Sequence, residues 1–284
     1  MSSTLRISSS PTLRALFCGF IVAVFTAATA QQSVAALFTL TDDNTVAQFD
    51  TATQANNLNW FVDGIDLLAQ QAFWYRIGNV AEQSVNLLSI GLQGTSDTNF
   101  DGNPDTLFVR YSGTGFQIDT RYTIAGGSAG SGASDMTEQI SITNLLDSPL
   151  DFHFFQYADF DLSAADSTVL TNLNSVQQSG SGSRLLETVV TPIPSHREAA
   201  FFPVTLNKLN DGVATTLSDT PLGTVVGPGD VTWAYEWDVV IAPGSTFQIS
   251  KDKNLSVVPE PTVCSLLTVA IALLFVVRRK HRFA

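Results

Sequence analysis

Apolar and polar residues alternate with a period of two over much of residues 37–256. Phe116, Ile118, Thr120, Tyr122 and Ile124 alternate with Gln117, Asp119, Arg121 and Thr123. Trp233, Tyr235, Trp237, Val239 and Ile241 alternate with Ala234, Glu236 and Asp238, and Ile140 and Ile142 with Gln139, Ser141 and Thr143. Side chains on a strand point to opposite faces in turn, so each pattern predicts a strand with one face in a core and one toward water. Further apolar runs cover Ala72–Ile77, Val85–Ile90, Thr106–Tyr111, Leu150–Leu162, Thr168–Leu173, Leu185–Val190, Ala199–Val204 and Phe247–Ser250. Turn formers separate most of them: Ser112–Gly115, Gly126–Gly132, Asn210-Asp211-Gly212, Gly227–Asp230 and Ala242-Pro243-Gly244. Only Gly64–Gln71 invites a short helix. The expected class is all-β, a single antiparallel β-sandwich domain over 37–256, with no dividing linker and no internal repeat.

The two ends follow another pattern. Arg6 and Arg14 precede an apolar run from Ala15 to Ala30, no acid occurs before Asp42, and Ala28-Thr29-Ala30 has the small residues of a cleavage site. Residues 1–36 are therefore read as a secretory signal peptide, the alternative being a retained anchor or a buried helix. Residues 257–284 carry Pro259-Glu260-Pro261, an uncharged apolar run from Val263 to Val277, and a basic stop of Arg278, Arg279, Lys280 and Arg282. As a helix that run covers only about 22 Å, short of a hydrocarbon core of about 30 Å, a gap that snorkelling arginines narrow. The basic cluster stays on the cytoplasmic side, which places 37–256 outside the cell.

The lead Val258-Pro259-Glu260-Pro261, the single helix and the terminal Arg-Arg-Lys cluster together resemble the PEP-CTERM sorting signal of bacterial surface proteins. The resemblance implies a membrane-embedded exosortase-type protease or transpeptidase as partner and cleavage near the Pro-Glu-Pro. It also implies an exopolysaccharide-producing, biofilm-forming setting at the cell surface or in the matrix. A permanent single-span anchor remains the alternative to cleavage. The stretch from Phe116 to Leu162 is similar to a segment that recurs among such proteins and implies shared architecture, with no activity attached.

Composition sharpens the contrast between body and ends. The 284-residue chain has 26 acids and 14 bases, a net charge of −12, yet six bases and only one acid lie in the ends. The body keeps 25 acids against 8 bases, near −17. Such a charge repels phosphate, which argues against a nucleic-acid partner, and favours divalent cations. Both cysteines, Cys18 and Cys264, lie in the ends, so neither disulfide nor thiol figures in the body.

Candidate chemistry is sparse. Asp97, Asn99, Asp101 and Asp105 fall in D-x-N-x-D-G-x-P-D, where oxygens at positions 1, 3 and 5 of a tight loop can converge on Ca²⁺ and Gly102 permits the turn. The loop is similar to the calcium loops of thrombospondin type-3 repeats, which implies those four residues as ligands. Phe108 at position 12 argues against an EF-hand. A solvated Asn/Asp/Gly turn is the alternative. Asp151, His153, Tyr157, Asp159 and Asp161 share one face of a strand that could hold a sugar, or could simply be its wet side. His196 is the other histidine of the body, and two isolated histidines make no metal-ligand spacing. Gly126–Gly130 matches G-x-S-x-G, but a flexible Gly/Ser run follows where a nucleophile elbow needs a helix. Trp60, Trp74, Trp233 and Trp237 are read as core residues.

The function expected from these features is a non-enzymatic exported protein, structural or adhesive, at the surface or in the exopolysaccharide matrix, with Ca²⁺ as its one candidate cofactor. A carbohydrate-binding module recognising exopolysaccharide is the alternative, and a carbohydrate-active enzyme using the Asp151–Asp161 face comes third.

Overall fold

A computed structural model describes residues 37–257. The signal segment 1–36, the Pro259-Glu260-Pro261 motif and the basic residues 278–282 lie outside the described residues. Among those described, no helix is long and apolar enough to cross a membrane.

In chain order the strands are β1 (Leu37–Asp42), β2 (Thr45–Asp50), β3 (Asn56–Val62), β4 (Ile65–Asp66), β5 (Gln70–Ile77), β6 (Gln83–Ser84), β7 (Ser89–Ser96), β8 (Thr106–Gly113) and β9 (Phe116–Gly126). They continue as β10 (Ala133–Asn144), β11 (Leu150–Asp159), β12 (Asp166–Asn172), β13 (Ser175–Ser179), β14 (Ser183–Thr191), β15 (His196–Phe201), β16 (Val225–Gly229), β17 (Val231–Ile241) and β18 (Thr246–Val257). Between β15 and β16 lies the one α-helix among the described residues, α1 (Val204–Asn210). The first sheet runs β1-β2-β3-β5-β11-β17-β15, with β4 on β3 and β6 on β5. The second runs β16-β12-β13-β14-β18-β10-β9-β8-β7. All pairings are antiparallel except a short parallel contact of Asn56 and Asn57 with Gln71.

Two expected elements differ. Gly64–Gln71 is no helix: Asp63 and Gly64 adopt positive φ and turn β3 back onto β4. Val85–Ile90 is no single strand either, since Val85–Leu87 forms a 3₁₀ turn before β7 begins at Ser89.

The inner faces of the two sheets enclose an aromatic-rich core that includes Trp60, Phe73, Tyr122, Phe154, Trp233 and Trp237. All four tryptophans are buried, as read from the sequence, although Trp74 packs on the other face of the first sheet. Each indole N–H finds an acceptor: Trp60 donates to Ser134 Oγ at 2.9 Å, Trp237 to the Pro192 carbonyl at 3.0 Å. Such pairing is what makes a buried indole tolerable.

Four fully buried charges interrupt this core. Glu138 on β10, Glu187 on β14 and both Lys251 and Lys253 on β18 point inward. Glu138 pairs with both lysines, and Glu187 lies 3.7 Å from each. The first sheet supplies the remaining partners. Gln71 donates to Glu138 at 2.6 Å, Gln156 donates to Glu187 at 2.8 Å and accepts from Lys251, and Trp233 donates to Glu187 at 3.3 Å. Burying charge is costly unless it is paired and hydrogen-bonded, and two acids facing two bases meet that condition.

Helix α1 covers the outer face of the first sheet. Leu209 and Leu217 are buried against Ala72, Trp74, Phe155, Tyr157 and Ala234, with Leu206 packed beside them. The fully buried Glu198 of β15 holds the helix by accepting from Thr205 at 2.6 Å and from Lys208 at 2.7 Å.

Candidate functional site

Strand register assembles a polar cluster on that outer face. His153 on β11 stands opposite Arg76 on β5 and Asp238 on β17, and His196 on β15 stands opposite Glu236 on β17. Four adjacent strands thus bring Arg76, His153, Glu236, Asp238 and His196 together.

Asp238 bridges the two imidazoles. Its Oδ1 is in contact with His153 Nδ1, and its Oδ2 lies 3.4 Å from His196 Nε2. His196 Nδ1 is 2.7 Å from Asp219, on the segment after α1, and His153 Nε2 is 3.6 Å from Asp151. The side chains of His153, His196 and Asp238 are 14%, 29% and 33% exposed, so molecules in solution can reach them. Glu236 lies beneath and is fully buried. Its Oε1 is 3.4 Å from Arg76 Nη2 and 4.0 Å from His153 Nδ1, and its Oε2 accepts the Leu217 amide at 2.8 Å.

These surroundings raise the pKa of both the buried acid and the base. Burial, reinforced by Asp238, pushes the Glu236 carboxyl up to about 7 against the opposing Leu217 amide. For His196, burial favours the neutral ring, but Asp219, Glu236 and Asp238 outweigh it and raise its pKa above the ordinary 6.5. A carboxyl raised to about 7 beside an imidazole raised above its ordinary pKa is suited to giving and taking protons. One atom from each of His153, Glu236 and Asp238 also lies close enough to share an ion. Arg76 already supplies positive charge there, with Glu82 at 3.0 Å and Glu236 at 3.4 Å, and a metal would have to compete with it.

The predicted face of β11 is divided. Asp151 and His153 stand at one end and Asp159 and Asp161 at the other, while Phe155 and Tyr157 between them are buried under α1 and the segment that follows it. The Asp97–Asp105 loop uses its oxygens on its own backbone. Asp97 accepts the amides of Phe100 and Gly102 at 2.7 and 2.9 Å, Asn99 that of Asp101 at 3.0 Å, and Asp101 that of Asn103 at 2.7 Å. Asp105 accepts from the Thr98 and Asn99 amides at 3.0 and 3.1 Å. Asp97, Asp101 and Asp105 do not form a carboxylate triad within 4.8 Å. Around Ser128 the G-x-S-x-G run leads from β9 into β10, with the Gly130 and Gly132 amides bound to Asp63 at 2.6 and 2.8 Å.

Sequence reasoning placed Glu236 and Asp238 on the water-facing side of their strand and left His196 an isolated histidine. The signal for the first two was present, two acids at i and i+2 on one face. Strand register, which periodicity does not reveal, sets them beside both histidines.

No family model matches the chain, and no curated protein matches it. Solved structures match in fold. The GalM/aldose epimerase homologue from C. elegans gives a TM-score of 0.50 at 9% identity, over 79% of this chain and 100% of that chain. The Slr1438 protein from Synechocystis sp. PCC 6803 gives 0.50 at 9% identity, over 79% of this chain and 97% of that one. A galactose mutarotase-like protein from Lactobacillus casei gives 0.48 at 6% identity, over 78% and 100%. The likeness is one of fold. It overturns the sequence-based expectation of a non-enzymatic protein, because the architecture read as structural or adhesive is one that an aldose epimerase homologue also adopts.

Proposed function

We propose that residues 37–257 form a carbohydrate-acting domain that moves protons on a saccharide at the His153–Asp238–His196 bridge. The observation that carries this reading is the bridge itself: two partly exposed imidazoles joined by one carboxylate, above a buried carboxyl poised near 7. Opening or closing a sugar ring at its anomeric carbon needs one proton delivered to the ring oxygen and one removed from the adjacent hydroxyl. Paired imidazoles, one protonated and one neutral, can do both. In this reading His196, whose pKa Asp219 raises, is the acid, and His153 is the base. Glu236 and Arg76 set the charge beneath them. The fold relative whose name includes an aldose epimerase supports the substrate class, as does the exopolysaccharide setting implied by the sorting-signal resemblance.

The test follows anomer exchange of freshly dissolved aldoses and of oligosaccharides with free reducing ends, by polarimetry or NMR, with the full chain. Saturable acceleration should fall about 10²–10⁴-fold in His196→Asn and in His153→Asn, as expected for loss of one acid–base group. No acceleration with any aldose, or wild-type rates in both variants, would sink the proposal.

We further propose that the domain is exported and sorted to the envelope or matrix by residues 257–284. The resemblance of the C-terminal segment and the acidic body between two basic ends support it. Mass spectrometry of the cell-surface form should find no peptide beyond Pro261, and an intact Ala284 terminus would refute cleavage.

A further inference from the structure

At the other end of β11 from the imidazoles, we propose that Asp159, Asp161 and Asp230 form a divalent-cation site of calcium type that clamps the crossover between the two sheets. Asp159 closes β11 and Asp161 follows two residues later. Asp230 lies in the step from β16 of the second sheet to β17 of the first. Calcium holds oxygens at about 2.4 Å, so two oxygens on one ion lie at most about 4.8 Å apart. One carboxylate oxygen from each of the three residues meets that limit, all lying within 4.8 Å of one another.

A second observation points to a ligand. Asp159 is only 5% exposed, and its Oδ1 is sealed from solvent with no hydrogen-bond partner. Its Oδ2 accepts only the Tyr157 hydroxyl, at 3.3 Å. A buried carboxylate oxygen normally has a donor or a cation. Its neighbours supply neither: Asp161 and Asp230 are acids themselves. Asp166 adds further negative charge nearby while its own Oδ2 is taken by the Leu162 amide at 3.0 Å and Gln178 at 2.7 Å. Burial, with Asp230 and Asp161, pushes the Asp159 carboxyl up to about 7, and burial and Asp161 also raise Asp230 and Asp166. A bound cation relieves the same repulsion. Oxygens of water complete the six to eight that calcium takes. The site is separate from the imidazole bridge and from the Asp97–Asp105 loop, so it stands or falls independently of both.

Calorimetric titration of CaCl₂ into the chelator-washed full chain tests it, with thermal unfolding followed in parallel. We expect one saturable site with Kd on the order of 10⁻⁴–10⁻³ M, the range of extracellular modules. Affinity should weaken at least tenfold in Asp161→Asn and in Asp230→Asn, and stay unchanged in Asp101→Asn. Calcium should raise Tm in the wild type and not in Asp230→Asn. Both test positions are exposed and lose only repulsion, so the variants keep the fold, which near-ultraviolet circular dichroism checks. No saturable binding up to about 10 mM, well above that range, would overturn the proposal. So would binding that survives in both variants, or binding lost only in Asp101→Asn, which would put the ion in the loop.

Discussion

Replacing Glu138 by Gln removes one of four charges from a region with no access to water, and the structure sets the size of the effect. Glu138 faces both Lys251 and Lys253 and accepts Gln71. Without it, two ammoniums share Glu187 alone, at 3.7 Å each. Burial opposes ionisation of Glu138, but the two lysines outweigh it and bring its carboxyl from the ordinary 4.5 to about 2. That fall corresponds to about 3 kcal/mol, at the low edge of the roughly 3–5 kcal/mol that breaking a buried pair costs. The folded carboxyl is depressed, so its contribution is fully present above about pH 4.5 and is lost as pH falls through about 2. Burial also pulls Lys251 below its ordinary range despite Glu138, so an uncompensated Lys251 is the costly remainder. Urea unfolding at pH 7 should show Glu138→Gln less stable by about 3 kcal/mol, and the difference should shrink as pH falls from 5 to 3. Adding Lys251→Met should recover at least about 1 kcal/mol, because Lys253 and Glu187 then balance. A single variant within about 1 kcal/mol of wild type, or one with an unchanged pH slope, would refute the assignment of Glu138 as the charge that holds the core lysines.

Two other substitutions probe the outer face. Asp219→Asn should lower the His196 pKa, read by NMR titration. The folded pKa is raised, so its stabilisation is present below about 6.5 and lost as pH rises through the folded value. The variant should flatten the pH dependence of stability in that window, and an unmoved titration would contradict the pairing. Leu209→Ala should cost about 2–4 kcal/mol, as for a large-to-small change in a core. It should also increase fluorescence quenching of Trp74 by acrylamide; a loss under about 1 kcal/mol would show that α1 does not depend on this contact.

The sandwich was legible wherever inward positions were apolar. The alternations at 116–124 and 233–241 became β9 and β17 almost residue for residue. The reading of 247–250 stopped early because β18 continues to Val257 with Lys251 and Lys253 at inward positions. A lysine where periodicity demands an aliphatic residue reads as the end of a strand. It becomes interior only when partners on β10 and β14 are known, and register between strands far apart in the chain supplies those. Helix α1 was missed for a different reason. Seven residues are too few for a helical period, and it exists because Leu209 and the Glu198–Lys208 pair dock it on a sheet already formed.

The same distinction governs the site. Period two correctly set Asp151, His153, Tyr157 and Asp159 on one face of β11, but a face is not yet a site. Which residue on the next strand stands opposite is decided by pairing, and His153 opposite Asp238 is what turns a lone histidine into half of an imidazole bridge. The covering helix decides the rest. By burying Phe155 and Tyr157 under Leu209 and Leu217, it divides one acidic face into two chemically different ends. At one end Arg76 and two imidazoles compensate the carboxylates. At the other Asp159, Asp161 and Asp230 converge without a positive partner. Separate substitutions at His196 and Asp230 should therefore act independently, since the buried side chains of Phe155 and Tyr157 lie between the two ends. A double variant whose loss of stability exceeds the sum of the singles by more than about 0.5 kcal/mol would show that the two ends form a single site.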